Sequence, residues 1–295
     1  MERGSQIWSA RTVARLRSIL AIMGSNREAK IGAVIVAVFL LTAIVVGVAT
    51  ALGITVTPYG PVQTDTGPKL APPSLSHLFG TDLLGRDVFS RIIVATPNDV
   101  SVGVGVVAFA LVVGLIIGSI AAVKGGLLDE LLMRFTDVVF ALPALVIAMV
   151  IAVALGPGVT NMMIALMIIW WPPHARLARG EALKVSHQNY IRSARLAGLG
   201  TWKIIFRHVI PNIFVIMLVY ATLDVGTVIL VYAGLSYLGL SVKPPAPDWG
   251  EMVSAFQDYL ITAPWLPIVP GLIISIGVIG FSLLGDGIRD ALEAG

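Results

Sequence analysis

Residues 100–123 read VSVGVGVVAFALVVGLIIGSIAAV, a run without a single charged side chain. A helix that spans a bilayer needs about 20 predominantly apolar residues, and this run is long enough. Its apolar residues are continuous rather than alternating at every second position, which favours a helix over a strand of a membrane barrel. The stretch therefore decides the fold class, because it predicts an integral membrane protein built from α-helices.

Five further stretches are apolar enough to cross a bilayer, so we predict six transmembrane helices. The composition agrees, since only 13% of the 295 residues are charged, against about 25% in a typical soluble protein. So few charges cannot cover a surface that faces water, and most of the surface must face lipid or other apolar protein. The predicted spans are residues 31–52, 100–123, 135–155, 160–177, 205–230 and 265–284.

Positive charge predicts the orientation, because lysine and arginine accumulate in cytoplasmic loops. With the N-terminus inside, the inner segments hold all but four of the 20 lysine and arginine residues. The four in the outer segments are Lys69, Arg86, Arg91 and Lys243. We therefore expect both termini to be cytoplasmic.

The segment ahead of the first span, residues 1–30, alternates apolar side chains with arginines at roughly helical spacing. This pattern fits an amphipathic helix in the cytoplasmic membrane interface, and it equally fits a frayed basic tail. The Ala-Thr-Ala of residues 49–51 would also suit the cleavage site of a secretory signal. The apolar run of the first span is longer than the roughly 7–15 residues of a signal core, so we expect an uncleaved span.

A long extracytoplasmic loop is predicted at residues 53–99. Its first half is rich in proline and glycine and indicates irregular, extended chain. Its second half indicates a turn followed by an amphipathic helix, which places on one side Leu84, Val88, Ile92 and Ile93. A loop of this length usually has a function, and a lid or a docking surface would both fit. The same two functions fit a second outer stretch, residues 236–264.

The sequence contains no motif for catalysis or metal binding. A phosphate-binding glycine loop, a Gly-x-Ser-x-Gly turn and a His-Glu-x-x-His helix are all missing from it. It has no cysteine, and its four histidines lack the spacing of metal ligands. We therefore expect a non-catalytic chain that binds no metal or cofactor of its own, and a membrane enzyme or an assembly factor is disfavoured.

One carboxylate falls near the middle of a predicted span, where an ionisable side chain costs about 2.5–3.5 kcal/mol. This is Asp224, which has Tyr220 and Thr227 about one turn to either side. The three residues predict a polar patch on a translocation path, where Asp224 would receive a cationic group of a substrate. A hydrogen bond between helices or a contact with a partner chain would explain Asp224 as well. Asp137 and Asp286 lie close to span ends, which favours solvated end groups.

A polar, basic segment lies between two membrane-length apolar runs at residues 190–212, which read YIRSARLAGLGTWKIIFRHVIPN. Its basic residues are interleaved with apolar ones, which predicts a short amphipathic helix. Gly198 then predicts a break, and Pro211 precedes the next span. Such a rigid projection at the membrane face suits a protein without chemistry of its own that is moved by another protein.

This segment resembles the signature of the membrane subunits of ABC importers, which reads Glu-Ala-Ala, three residues, Gly, and a further run that ends in Ile-x-Leu-Pro. Arg192, Ser193 and Ala194 hold the place of Glu-Ala-Ala. Gly198 holds the place of the glycine and Pro211 that of the proline. Arg192 replaces the acidic residue and Ser193 the first alanine, so the resemblance does not imply a docking contact made by that glutamate.

Further motifs in the same order, between residues 77 and 292, resemble the C-type permease subunit of dipeptide and oligopeptide importers. They read HLFGTDLLGRDVFSRII, GGLLDELLMRFTDVVFALP, WWPPHARLARGEAL, YAGLSYLGLSVKPPAPDWGEM and LLGDGIRDAL. Two departures bear on the substrate path. Residues 97–99 read Pro-Asn-Asp where the family has a small, basic stretch, and Tyr232 stands where an acidic residue is common. We therefore add Tyr232 to the candidate path residues Tyr220, Asp224 and Thr227.

The resemblance implies the permease fold of type I ABC importers, with a core at residues 100–290 and a coupling helix near residues 187–200. Glu181 would pair with the arginines of the coupling segment. Gly198 would permit a turn that a β-carbon would obstruct, and Pro211 would open the fifth span. The implied coupling residues are Glu181, Arg192, Ser193, Ala194, Arg195, Ala197, Gly198, Leu199 and Pro211.

The resemblance also implies partners and a location. The partners are a second, B-type permease subunit, two cytoplasmic ABC ATPases that hold ATP and Mg²⁺, an extracytoplasmic substrate-binding protein and membrane lipid, with no nucleic acid. The location is the inner (cytoplasmic) membrane of a prokaryote. The implied cargo is a dipeptide or oligopeptide, and the alternatives are a nickel complex or an oligosaccharide. A stand-alone secondary carrier is less favoured, because the sequence reveals neither inverted repeats nor broken helices with buried charges.

Overall fold

The computed structural model describes residues 26–293, and within that range the regular secondary structure is helical, with irregular loops between the helices and one isolated bridge between Thr81 and Asp87. The predicted all-helical fold is therefore confirmed. Residues 1–25 of the predicted N-terminal amphipathic segment lie outside the described residues. The helices are α1 (Arg27–Ala51), α2 (Val88–Lys124), α3 (Gly126–Phe140), α4 (Ala144–Leu155), α5 (Val159–Ser186), α6 (Asn189–Leu196), α7 (Thr201–Tyr237), α8 (Trp249–Phe256) and α9 (Trp265–Glu293).

Within residues 26–293, four helices are long and apolar enough to cross a membrane, namely α1, α2, α7 and α9. The pair α3 and α4 is apolar enough to form a fifth crossing. The predicted fourth span, residues 160–177, lies inside α5, where tryptophan, proline and His174 lower the mean hydropathy. Four or five apolar spans are thus established. The count of six and the cytoplasmic position of both ends stay predictions.

The second predicted span is longer than expected, because α2 begins at Val88 and runs for 37 residues. The amphipathic helix predicted for the end of the outer loop is therefore the first part of α2. Of the four residues predicted on one side of that helix, Val88 and Ile92 lie on α2 and are buried, and Ile93 lies on it half-buried. Leu84, predicted on the same face, instead lies in the loop and is exposed.

Pro211 lies in the first turn of the α-helical stretch Ile210–Tyr237, which is the position predicted for it. The helical backbone nevertheless begins earlier, at Thr201, and passes through a π-helical turn at Ile205–Val209. Proline has no N–H group and its ring crowds the carbonyl group one turn earlier. The wider π-helical turn directly before Pro211 makes room for that ring within a continuous α7.

The predicted span at residues 135–155 is broken. α3 ends at Phe140, α4 begins at Ala144, and the two helices are bent by 82°. Pro143 explains the break, because it lacks an N–H group and disfavours helical backbone at the residue before it, Leu142. The sequence revealed no broken helix with buried charges, and this bent helix pair is a break that it did not reveal. At membrane depth, non-helical backbone is tolerated only where it is buried in protein or lines a cavity.

The most extensive helix contact in the described chain joins α2 to α5, and two glycines permit it. A β-carbon on Gly114 would lie 2.6 Å from the β-carbon of His174 and 2.9 Å from the backbone nitrogen of Ala175. A β-carbon on Gly118 would lie 2.4 Å from the carbonyl oxygen of Ala175 and 2.6 Å from the backbone nitrogen of Arg179. Small residues at this four-residue spacing let helix backbones approach closely. The contact fixes the position of α5.

α9 packs against α1 and α7 by the same means. A β-carbon on Gly32 of α1 would lie 2.5 Å from the backbone nitrogen of Leu284. A β-carbon on Gly226 of α7 would lie 3.0 Å from the carbonyl oxygen of Val278. The outward face of α1 exposes Ile31, Val34, Val38, Leu41, Ile44, Val45 and Val48. A continuous apolar face of this kind suits contact with lipid.

The loop between α1 and α2 is irregular, as predicted, and it is fastened to the start of α2. Asp87 caps α2, and its Oδ1 lies 2.9 Å from Nδ1 of His77 in the loop. Arg91 is buried and donates from Nη1 to the carbonyl oxygens of Pro61, at 2.9 Å, and Pro245, at 3.2 Å. Arg91 therefore joins this loop and the segment that follows α7 to one point on α2.

We predict that Gly118→Ala destabilises the protein, because the new β-carbon meets the backbone of α5 and such overpacking costs about 1–3 kcal/mol. The matched control is Gly234→Ala in α7, where a β-carbon would have no neighbour within 4 Å. Alanine also favours a helix over glycine by about 1 kcal/mol. Thermal unfolding of the purified protein in detergent should give a lower Tm for Gly118→Ala and an unchanged or higher Tm for Gly234→Ala. An unchanged Tm for Gly118→Ala would contradict the described packing.

Candidate functional site

The short amphipathic helix predicted near residues 187–200 is present as α6. Ile191 is fully buried and anchors it to the rest of the protein. Arg192, Arg195 and Leu196 are exposed on the same helix, and Leu196 is 91% exposed. α6 therefore presents both basic and apolar side chains at the surface.

The end of α6 is a glycine-terminated turn. The N–H of Leu199 donates to the carbonyl oxygen of Ala194 at 3.1 Å, and the N–H of Gly198 donates to that of Arg195 at 2.9 Å. This pair of bonds is the Schellman motif, which places a left-handed residue after the helix. Gly198 is that residue, with φ at 79°. No atom lies within 4 Å of its missing β-carbon, so the backbone conformation, and not the predicted crowding, favours glycine here.

The prediction that Glu181 pairs with the arginines of the coupling segment was wrong. Its carboxylate accepts a hydrogen bond from Nζ of Lys184 at 2.6 Å. The two residues are three apart on α5, a spacing that brings side chains together on one helix face. The remaining predicted coupling residues, Ser193 and Ala197, are exposed on α6 and at its end, while Ala194 is half-buried.

The elements on both sides of α6 are tied to the other helices. Before it, Arg179 of α5 binds Asp129 of α3 through two hydrogen bonds of 2.6 Å, which raise the pKa of Arg179. After it, Nζ of Lys124 at the end of α2 lies 4.5 Å from the ring centroid of Trp202 in α7. Such a cation–π contact restrains the start of α7 relative to the end of α2. The segments on both sides of α6 are therefore attached to α2 and α3, so α6 has a defined position relative to α2, α3 and α5.

Asp224 lies on the side of α7 that faces α5. Its Oδ2 accepts a hydrogen bond of 2.9 Å from Nε1 of Trp170, and Nε2 of His174 is 3.7 Å from the same oxygen. The hydrogen bond between helices that the sequence left open is thus present. The Asp224 side chain is still 31% exposed. Tyr220 and Thr227, predicted to share its patch, are exposed on the same helix.

Two cavities meet at Asp224. One, of about 300 Å³, lies between the break of α3 and α4 and the side of α5, and it is lined by Val139, Phe140, Leu142, Ala144, Ile147, Ile169, Trp170, Pro173 and Asp224. The other, of about 230 Å³, is lined by Pro173, His174, Leu177, Tyr220, Leu223 and Asp224. The broken backbone therefore lines a cavity, which is an arrangement that a membrane tolerates.

Tyr232 lies apart from this patch, in a fully buried polar cluster. Its hydroxyl donates to Oδ2 of Asp248 at 2.7 Å and lies 2.6 Å from Oγ of Ser241. Asp248 also caps α8, where it accepts the N–H of Gly250 at 3.0 Å. The structure thus does not bring Tyr232 together with Asp224, and its hydroxyl is occupied within the protein.

Sequence reasoning missed the two partners of Asp224, which are Trp170 and His174. They are four residues apart, so they share one face of α5. A search for polar side chains at helical spacing in a neighbouring span would have found them. It also missed Glu251, whose Oε2 is 3.7 Å from Nη2 of Arg91. Burial raises the pKa of Glu251, and the charge of Arg91 opposes that shift.

Comparison with known proteins gives consistent matches. A family model described as binding-protein-dependent transport system inner membrane component matches residues 114–295. The chain is similar to a probable D,D-dipeptide transport system permease protein of Escherichia coli, at 39% identity over 80% of this chain and 79% of the relative. It is similar to a dipeptide transport system permease protein of Alkalihalophilus pseudofirmus, at 35% identity over 95% and 90%. It is also similar to a glutathione transport system permease protein of Pectobacterium atrosepticum, at 38% identity over 75% and 73%.

We predict that Tyr232→Phe destabilises the protein by about 1–3 kcal/mol, because it removes a buried donor to the Asp248 carboxylate. Tyr220→Phe is the matched control, since Tyr220 is exposed and an exposed substitution changes stability by no more than about 0.5 kcal/mol. Chemical denaturation of both purified variants measures the difference. Equal stability of the two variants would contradict the structural role of Tyr232.

Proposed function

We propose that this chain, which belongs to the family of binding-protein-dependent transport system inner membrane components, is a permease subunit of an ATP-driven peptide importer. The peptide cargo is suggested by the dipeptide and glutathione permeases at 35–39% identity. A nickel complex or an oligosaccharide is the alternative cargo. The proposed partners are a second permease subunit, two cytoplasmic ATPases that hold ATP and Mg²⁺, and an extracytoplasmic binding protein.

The observation that carries the proposal is the exposed face of α6. Arg192, Arg195 and Leu196 project from a helix that is anchored by a single buried side chain, Ile191. Together, the two arginines and Leu196, which is 91% exposed, offer a partner both charged and apolar contacts. We assign this face to contact with an ATPase. A force on α6 would reach α7 through the Schellman turn at Gly198. It would reach α2 through the cation–π contact between Lys124 and Trp202.

The proposed topology has six spans with both ends in the cytoplasm, in the inner membrane of a prokaryote. α5 supplies the span predicted at residues 160–177, and it is less apolar than α1, α2, α7 and α9. Its residues Met162, Ala165, Leu166 and Ile169 are buried, and it packs against α2, α4 and α7. A helix that is surrounded by protein need not be apolar on every side. The distribution of lysine and arginine supports the orientation.

The proposed path runs along Tyr220, Asp224 and Thr227, beside the break between α3 and α4. The two cavities that meet at Asp224 support this assignment. Tyr232 is left out of the path, because its hydroxyl is bonded to Asp248 in a buried cluster. This chain supplies no catalytic group in the proposal, and ATP hydrolysis belongs to the ATPases.

The mechanism is linkage between two conformations. When ATP draws the ATPases together, each α6 follows its ATPase and carries its permease subunit towards the outward-open state. Hydrolysis reverses the motion. Each partner must bind one conformation better than the other, because a ligand that binds both equally shifts neither. The loaded binding protein would favour the outward-open state and thereby stimulate ATP hydrolysis.

The broken span beside Asp224 favours a second candidate function, a secondary carrier driven by an ion gradient. Discontinuous helices beside a polar site are a feature of such carriers. The two functions differ in their energy source. Uptake that requires ATP and the ATPases supports the importer, and uptake that needs only an ion gradient supports the carrier.

We predict that Arg195→Glu abolishes peptide uptake, because it reverses the charge of the proposed docking face of α6. The reconstituted importer should keep its basal ATPase activity and lose stimulation by the loaded binding protein. The matched control is Arg134→Glu, since Arg134 is also a highly exposed arginine and lies on α3. Uptake of a radiolabelled dipeptide and phosphate release in proteoliposomes measure both properties. Normal uptake by Arg195→Glu would refute the assignment of α6.

A further inference from the structure

Two hydrogen-bond acceptors face each other beside the cavities. Nδ1 of His174 lies 3.3 Å from the carbonyl oxygen of Trp170. A carbonyl oxygen only accepts, so Nδ1 carries a proton. We take Nε2 as unprotonated, because at 3.7 Å it is too far from Oδ2 of Asp224 to donate a hydrogen bond to it, and it then holds a lone pair. The His174 ring is buried, and its Nε2 has no hydrogen-bond partner within residues 26–293.

A carboxylate and a lone pair at this distance favour a ligand that donates to both, and the charges nearby favour a cation. Oδ2 of Asp224 takes one hydrogen bond, from the neutral indole of Trp170, which leaves the negative charge uncompensated. The next two arginines along α5 are engaged elsewhere. Arg176 lies 3.2 Å from Asp137, and Arg179 binds Asp129. An ammonium group has three N–H donors and no acceptor, so it meets both requirements.

We infer that Asp224 and His174 bind the α-ammonium group of the peptide cargo during its passage. This inference rests on the proposed function and names the chemical group of the cargo that the path residues would bind. The two cavities on either side of Asp224 are lined mainly by apolar residues. These cavities would accept cargo side chains of varied size, while Asp224 and His174 bind the charged ammonium group. Trp170 is a positioning residue, because its indole N–H holds the carboxylate in place.

The test compares two peptides that differ at the N-terminus, dialanine with its charged ammonium group and N-acetyl-dialanine with a neutral amide in its place. Saturation-transfer NMR measures their binding to the complete membrane complex in lipid nanodiscs, with the binding protein omitted so that its own selection does not enter. The wild type should bind dialanine about 10- to 100-fold more tightly, which is the usual size of a hydrogen bond to a charged group. Equal binding of the two peptides by the wild type would overturn the inference.

Variants of Asp224 test whether this residue causes the preference for dialanine. Asp224→Asn keeps the size of the side chain and removes its charge, so its preference for dialanine should disappear, whereas Asp224→Glu should retain part of it. The matched control is Asp286→Asn on α9, an exposed aspartate whose loss should leave the preference unchanged. A preference that persists in Asp224→Asn would place the ammonium elsewhere. The wild-type comparison decides the matter if Asp224→Asn fails to assemble.

One further measurement separates the two proposals. ATP-dependent uptake of dialanine by the wild-type importer, with its binding protein, tests the proposed function alone. Uptake without any preference between the two peptides in the binding assay would remove only the ammonium site. A reconstituted importer that fails to take up any peptide would remove the proposed function and, with it, the basis for this inference.

Discussion

The close approach of α2 and α5 at Gly114 and Gly118 is the constraint on which the rest of the structure depends. A β-carbon at either position would lie within 3 Å of the α5 backbone or of a β-carbon on it, so only glycine allows this separation. The contact lies beside His174 and Arg179, which belong to two different sites. His174 faces Asp224, and Arg179 binds Asp129. This one packing contact thereby fixes the position of His174 beside the candidate path. It also fixes Arg179, which lies on α5 ahead of α6.

This shared packing contact suggests how a force applied to α6 could move the rest of the protein. α6 follows α5 directly, and Trp202 beyond it contacts the end of α2 through Lys124. A force on α6 would therefore reach α2 and α5 together, along with the groups that face Asp224. The break at Pro143 leaves α4 at an angle of 82° to α3, so the wall of the larger cavity is formed by two helices that meet at a joint. A change in the angle between α3 and α4 would alter the shape of this cavity, and neither helix would have to unfold.

The features that depend on local sequence could be predicted. Continuous apolar runs identified α1, α2, α7 and α9, the four helices of the described residues that are long and apolar enough to cross a membrane, because a bilayer demands such runs irrespective of what packs nearby. The alternation of basic and apolar residues identified α6, and Gly198 marked its end. The features that were missed depend on neighbouring helices. Tyr232 donates a hydrogen bond to Asp248 in a later segment, and Asp224 accepts one from Trp170 on α5. The pairing of Glu181 with Lys184 is an exception, because it joins two residues three apart on one helix and the spacing could have predicted it. The break at Pro143 was missed because proline within an apolar run is tolerated in some membrane helices and disruptive in others.

The central claim is that α6 is the surface on which an ATPase acts, and photo-crosslinking tests it most directly. The chain offers two highly exposed leucines for a photoreactive amino acid, Leu196 on α6 at 91% exposure and Leu75 in the loop between α1 and α2 at 100%. In the assembled importer, the residue at position 196 should crosslink to an ATPase subunit, and the residue at position 75 should not. Crosslinks to the ATPase from position 75, with none from position 196, would contradict the account.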